Sequence, residues 1–262
     1  MKITIIGCGN MGGAIARGLA KSNFVAPADI TVSNRGKEKL DLLKTYNPEV
    51  HTTTDNKAAV KDADIIVLAV KPWVLESVAI DIRNELDLPR QIIVSIVAGV
   101  TIERLASLFT SGDSIPAIFR AMPNTAIAIR QSMTLFTPYN AVPEQVDCIR
   151  AMLDSLGKSL LVDESLMEAG TALCSCGTAF AMRYMRAAVE GGVEMGFYPK
   201  DAQLVVEQTV KGAAELLLAT GNHPEVEIDR VTTPGGITIK GLNEMEAAGF
   251  STAVIRGLKA SK

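Results

Sequence analysis

Residues 2–20 read KITIIGCGNMGGAIARGLA: a short apolar run, a glycine-rich turn, then a helical run of Ala, Ile and Leu. No other stretch limits the fold as much. Gly7, Gly9 and Gly12 have the spacing GxGxxG. In such a turn the first glycine permits a tight reversal and the second lets backbone approach a pyrophosphate. The third lets helix and strand pack closely. The helix start adds N–H groups and a positive dipole end for the phosphates. The motif alone is weak, but it falls at the first strand-to-helix junction of the chain. That position points to a dinucleotide site.

Further strands and helices alternate downstream. Asp29–Asn34 reads as a second strand, and Asp62–Pro72 and Gln91–Gly99 as buried strands with continuous apolar runs. Ile115–Asn124 and Ser132–Pro138 are two more, with a helix fitting Ile102–Phe109. This pattern predicts an α/β fold: a doubly wound, mostly parallel, Rossmann-type sheet. About 20 residues past the glycine turn, an NAD-binding fold carries Asp or Glu for the ribose hydroxyls. This chain has Ser33-Asn34-Arg35 there. Donors and a fixed positive charge suit a 2′-phosphate, which a carboxylate would repel. The expectation is NADPH over NADH. Lys71-Pro72 ends one strand at the edge where open α/β sheets bind ligands. Asn56, Ser95 and Met122-Pro123-Asn124 also fall at strand ends or loops, as cleft residues or turn formers.

Composition excludes several classes. The 262 residues are 48% hydrophobic and 21% charged, with a formal net charge of -3. That is a soluble globular profile with no basic surface for nucleic acid or membrane. No apolar run has the length of a membrane span, and ITIIG is too short for a signal-peptide core. The reading is a cytoplasmic protein. Four cysteines lack CxxC spacing and there are two histidines, so no metal site is expected.

From about Asp163 the strand pattern stops. Residues 178–196 and 205–219 read as helices, with Val206, Val210, Ala213 and Leu217 at helical spacing. So much apolar helix is hard to bury in one small layer, and a second subunit is expected to cover part of it. The boundaries suggested are 1–162 for the dinucleotide-binding domain and 163–262 for a helical domain. Near the end, TTPGGITIKGL interrupts helix with Thr233-Pro234-Gly235-Gly236. A hinge would account for the glycines alone. A pocket for a small anion accounts for the whole segment, with bare backbone N–H groups and a Thr238 hydroxyl in the next turn. A reductase taking hydride from a nicotinamide needs little more.

IGCGNMGGAIARGL, AVKPW, VAGVTIERL, RAMPNT, GKSLLVDESLMEA and VTTPGGITIKGLNEMEAAGF together resemble the pyrroline-5-carboxylate reductase family over nearly the whole chain. The last segment is the most specific. The resemblance implies reduction of the C=N bond of 1-pyrroline-5-carboxylate to L-proline by NAD(P)H. It implies a helical C-terminal domain that interlocks in a homodimer, often assembled into a larger ring. It places the substrate carboxylate at Thr233, Gly235 and Gly236, Ile237 beside them in the substrate-binding segment, Thr238 near the ring nitrogen, and Glu164 near the substrate. Cofactor contacts fall on Gly7, Cys8, Gly9, Asn10, Met11, Gly12 and on Ala69, Val70, Lys71 and Pro72.

The chain departs from the family at Cys174-Ser175-Cys176-Gly177-Thr178-Ala179-Phe180, usually SGSGPAY. Size is kept and hydroxyl donors are lost. Ile237 stands where Thr or Ala is usual, and Arg230 where a neutral residue is common. Two rival readings remain. One is another imine or 2-hydroxy-acid reductase of the same architecture, in which Lys71 is the one lysine near the cleft to serve as acid or base. The other is a non-catalytic NADP-binding protein.

Overall fold

The computed structural model describes residues 1–112 and 114–262. The chain divides into two compact units, Met1–Ser175 and Cys176–Lys262. The segment after residue 162, which the sequence suggested as the start of the helical domain, belongs in part to the first unit. Its Met167 packs with Met122 and Leu135 in a small core cluster.

In the first unit the elements are β1 (Ile3–Ile6), α1 (Asn10–Ala20), β2 (Ile30–Ser33), α2 (Lys37–Tyr46), β3 (His51–Thr53), α3 (Asn56–Val60) and β4 (Ile65–Leu68). They continue as α4 (Pro72–Ile82), β5 (Ile92–Ser95), α5 (Ile102–Phe109), β6 (Ala117–Met122), β7 (Ser132–Tyr139), α6 (Pro143–Asp154), β8 (Gly157–Leu161) and α7 (Met167–Gly170). One eight-stranded sheet has the order β3-β2-β1-β4-β5-β6-β7-β8. Pairing is parallel except between β6 and β7.

The central strands β1, β4, β5 and β6 are buried at every position because both faces are covered, and they are apolar apart from Thr4, Ser95 and Arg120. On one face Ile3, Ile5, Val67 and Val94 pack with Ala16 and Leu19 of α1. On the other, Ile6, Ile66, Leu68 and Ile93 pack with Leu75 and Val78 of α4. β1 pairs with β2 on one side and β4 on the other, so strand order reverses there. The crevice beyond the carboxyl ends of those strands is where such sheets hold ligands. The two strands the sequence left unmarked are β3, three residues long, and β8, whose Leu160 and Leu161 are exposed.

The second unit is all-helical: α8 (Gly177–Glu194), α9 (Pro199–Thr220), α10 (Pro224–Arg230), α11 (Ile237–Ala247) and α12 (Phe250–Lys259). A π-helical turn, Thr171–Cys176, leads into α8. Pro199 and Pro224 open their helices, where the missing N–H costs nothing. Gly221 closes α9 at φ +65°, the left-handed region. Gly192 lets α8 lie close to Ala202 of α9, and the Tyr184 and Phe250 rings meet edge-on at 6.2 Å. Yet among the described residues of this unit, only Val189 and Ala202 are buried. Met195, Phe197, Tyr198, Leu204 and Leu218 all face outward.

Candidate active site

A cavity of about 930 Å³ opens at the carboxyl ends of β1 and β4. Gly7, Gly9, Asn10 and Met11 line it from the first turn, and Ser33, Asn34 and Arg35 from the end of β2. Asn56 contributes from α3, and Ala69, Val70, Lys71 and Pro72 from the end of β4. All of these are candidates that the sequence points to; Cys8 and Gly12 are not in the lining.

The three motif glycines do different work. Gly7 sits at φ +106°, and a Cβ there would come within 2.5 Å of the Ala69 carbonyl. A Cβ on Gly12 would lie 1.9 Å from the Gly7 carbonyl, so this glycine packs α1 against the strand end and does not line the cavity. Gly9 has nothing within 4 Å of its absent Cβ. It is the N-cap of α1, and no side chain caps that helix. The first-turn N–H groups therefore face an open cradle that a pyrophosphate fits.

Cys8 is not a cavity residue. Its side chain is 5% exposed, its thiol donates to the Lys39 carbonyl at 3.5 Å, and its N–H donates to Asn34 Oδ1 at 3.1 Å. Burial pushes the thiol above the usual value, against a smaller opposing pull from Arg17 and Lys39. Asn34 is thereby committed to the loop, since its Nδ2 also donates to the Gly36 carbonyl at 2.8 Å.

Ser33 Oγ donates to Asn56 Oδ1 at 2.6 Å, and Asn56 Nδ2 reaches Asp81 Oδ2 at 3.4 Å. Arg35 and Lys39 line the same end of the cavity, and neither has an ion pair among the described residues. Two such cations beside Ser33 fit a 2′-phosphate. Lys39, Thr54, Ser77 and Asp81 line the cavity without having been singled out in the sequence. For Lys39 the signal was its place four residues after Arg35, at the start of α2. Lys71 Nζ lies 6.0 Å from the Trp73 ring centroid.

Ser95 and Asn124 satisfy turns. Ser95 Oγ accepts from the Val97 N–H at 3.3 Å. Asn124 Oδ1 accepts from Ala126 N–H at 3.0 Å, and its Nδ2 donates to the Cys174 carbonyl at 3.2 Å. Asn124 lines a separate apolar cavity of about 570 Å³ with Met133, Leu135 and Leu173.

Glu164 follows β8 in the first unit. Its Oε1 accepts from Arg120 Nη1 at 2.9 Å and from the Ile102 N–H, at the start of α5, at 2.7 Å. Arg120 is 5% exposed, and its Nε has no partner among the described residues.

Thr233, Gly235, Gly236, Ile237 and Thr238 lie in the second unit. Gly235 takes φ +70°, and the Gly236 N–H donates to the Thr233 carbonyl at 2.9 Å. Gly236 is the N-cap of α11, with no side-chain cap. The first-turn N–H groups of α11 are therefore free of intrahelical partners. Thr238 is in that turn, is exposed, and does not cap the helix. Ile237 is 88% exposed.

Among the described residues no cluster of His, Cys, Asp and Glu is arranged to hold a metal ion, and no helix is long and apolar enough to cross a membrane.

A glycine cradle at the reversal of a doubly wound sheet, followed by an all-helical unit, defines a Rossmann-type dinucleotide-binding protein. Residues 2–99 match the family model described as NADP oxidoreductase, coenzyme F420-dependent, and residues 164–262 the one described as pyrroline-5-carboxylate reductase dimerisation. A Dictyostelium discoideum pyrroline-5-carboxylate reductase 1 is 40% identical over 99% of this chain, which spans 48% of that relative's length. The Methanosarcina acetivorans pyrroline-5-carboxylate reductase is 36% identical over 100% of this chain and 97% of its own. The crystal structure of Plasmodium falciparum pyrroline carboxylate reductase with NADP bound superposes with a TM-score of 0.88 at 26% identity, covering 100% of this chain and 95% of that one. The chain belongs to the pyrroline-5-carboxylate reductase family.

Proposed function

We infer that this chain reduces 1-pyrroline-5-carboxylate to L-proline with NADPH, as a cytoplasmic homodimer open to assembly into a larger ring. NADH is the weaker alternative reductant. The observation that carries the reading is the Thr233–Thr238 segment, in which uncapped N–H groups and one hydroxyl open α11, in a chain of this family.

When bound, NADPH supplies hydride to the ring carbon of the C=N bond. The Gly9 cradle would hold its pyrophosphate, and Arg35 and Lys39, beside the Ser33–Asn56 pair, would hold the 2′-phosphate end. Thr233, Gly235, Gly236 and Ile237 present backbone to the substrate carboxylate at a helix start, which fixes the ring by orientation. The Thr238 hydroxyl hydrogen-bonds the ring nitrogen, which gains one proton as the ring carbon gains hydride. Threonine is too weak an acid to be the ultimate source, so it positions the imine or relays a proton from water. Glu164 spends Oε1 on Arg120 and Ile102, and we assign it to positioning. The helical unit supplies the subunit interface.

One assay tests the reading. NADPH loss is followed with pyrroline-5-carboxylate, with a 2-keto acid, and with no substrate. Proline formed in step with NADPH consumed is the expected result. Turnover of the 2-keto acid alone makes the protein a hydroxy-acid reductase. Binding without turnover makes it an NADP-binding protein and sinks the catalytic assignment.

A further inference from the structure

One wall of the cofactor cavity carries a pattern that the glycine motif does not account for. Val74, Ser77, Val78 and Asp81 all line it from α4. Their spacing is i, i+3, i+4, i+7, so they form one continuous face of that helix. Two valines make a flat apolar surface, and a carboxylate closes its far end.

Asp81 lies on the side of the 2′-phosphate cations. It reaches Asn56 Nδ2 at 3.4 Å, and Asn56 in turn takes the Ser33 hydroxyl at 2.6 Å, at the end of β2. Arg35 and Lys39 follow directly from that strand end. A dinucleotide whose pyrophosphate sits over Gly9 and whose 2′-phosphate meets these cations extends its purine toward this end of α4. The opposite end of the cavity, at Ile96 and Ala98 beyond β5, belongs to the other half of the cofactor. Asp81 is also kept from opposing the phosphate. Lys57 Nζ lies 3.7 Å from Asp81 Oδ1 and offsets its charge.

We propose that Asp81 is a specificity-determining residue: its carboxylate accepts a hydrogen bond from the exocyclic amino group of adenine, while Val74 and Val78 pack on the ring. A purine carrying a carbonyl at that position, as in hypoxanthine, sets acceptor against acceptor and is rejected. Sites that hydrogen-bond a ligand group discriminate strongly against analogues lacking it, and a half-exposed carboxylate does so more weakly. Discrimination of about tenfold is expected.

The inference rests on the NADPH reading above, and the test separates the two. Isothermal titration calorimetry of the full chain compares 2′,5′-ADP with its deaminated hypoxanthine counterpart, and with 5′-AMP. The expected result is tighter binding of 2′,5′-ADP than of the hypoxanthine compound by about tenfold. Asp81→Ala brings that ratio near one by weakening the adenine ligand, and leaves the preference for 2′,5′-ADP over 5′-AMP intact. Asp81→Asn, which keeps an acceptor, retains part of the ratio. A ratio near one in the unaltered protein, or an unchanged ratio in Asp81→Ala, overturns the proposal. Equal weakening of both purines shows that Asp81 acts only by holding Asn56, and also overturns it. Failure to bind either 2′-phosphorylated ligand removes the cofactor reading itself.

Discussion

Arg120 on β6 donates from Nη1 to Glu164 Oε1 at 2.9 Å, and the same oxygen takes the Ile102 N–H at 2.7 Å. One carboxylate oxygen thus pins the start of α5 to a central strand and neutralises a guanidinium that is 5% exposed. Removing one partner of a buried pair leaves the other charged and unpaired, at roughly 3–5 kcal/mol. Glu164 is partly open to solvent, so Glu164→Ala is expected below that range, at about 2–3 kcal/mol, read from denaturant unfolding. Glu164→Gln keeps an acceptor for the Ile102 N–H and loses less. A change below about 0.5 kcal/mol would contradict the pinning role.

The glycine turn gives a contrast within one motif. Gly12→Ala drives a methyl to 1.9 Å from a backbone carbonyl, so the turn itself must shift. Both melting temperature and cofactor affinity should fall. Gly9→Ala meets nothing within 4 Å, so the fold should hold and only affinity for the dinucleotide should fall. Calorimetric melting beside a binding titration distinguishes the two. A stability loss as large for Gly9→Ala as for Gly12→Ala would refute the division of roles.

Arg35 and Lys39 should discriminate between NADPH and NADH. Each is solvent-exposed, so screening reduces a charge-assisted contact to about 1 kcal/mol, roughly fivefold. Arg35→Ala and Lys39→Ala are each expected to raise the KM for NADPH by that factor and to leave NADH nearly unchanged. Equal losses with both cofactors would place the 2′-phosphate elsewhere.

The beginning of this site was legible because it is local. The β1–turn–α1 sequence encodes strand, reversal and helix in consecutive residues, and Ser33-Asn34-Arg35 follows one strand later. Asp81 is not legible, since a residue near the end of a helix reaches a cavity only through the packing of its whole element, whereas Lys39 is marked only by its place four residues after Arg35, at the start of α2. The Arg120–Glu164 pair spans 44 residues, and no local rule joins its members. Asn34 lines the cavity as its type suggests, but its second role, in which the amide takes the Cys8 N–H and donates to the Gly36 carbonyl, has no local signal. β8 has no strand signature in the sequence because two leucines, Leu160 and Leu161, stand in succession and are both exposed, which erases the alternation that marks a half-buried strand.

Thr238 provides the sharpest test of the proposed chemistry. Gly236, not Thr238, occupies the N-cap position of α11. Thr238→Ala should therefore leave the melting temperature unchanged or slightly higher, since Ala is the better helix former. Turnover at saturating substrate should drop by ~10–100-fold, and Thr238→Ser should recover most of it. Unchanged turnover in Thr238→Ala would remove the hydroxyl from the mechanism.

One buried thiol, Cys8, and two partly buried ones, Cys148 and Cys174, set an alkaline limit. Burial raises the Cys8 and Cys174 thiols, and burial with a smaller contribution from Asp64 raises Cys148. A raised thiol favours the neutral form in the fold. Its contribution to stability is complete below the ordinary thiol pKa and is lost as pH rises from there through the folded value. Denaturation midpoints should therefore fall above about pH 8.5, less steeply in Cys8→Ala. Identical slopes for the two proteins would exclude Cys8 as a contributor.

The small number of buried side chains in the helical unit bears on how the chain is made. Synthesis delivers residues 1–175 first, and they contain a complete two-faced core around one sheet. Those residues can settle while the ribosome is still at work. The last five helices emerge with Val189 and Ala202 as their only buried described residues, and local contacts cannot hold them. In the proposed homodimer their maturation is a second-order event, set by how often one finished chain meets another. Slow expression or dilution should prolong an intermediate with a finished N-terminal unit and protease-sensitive helices.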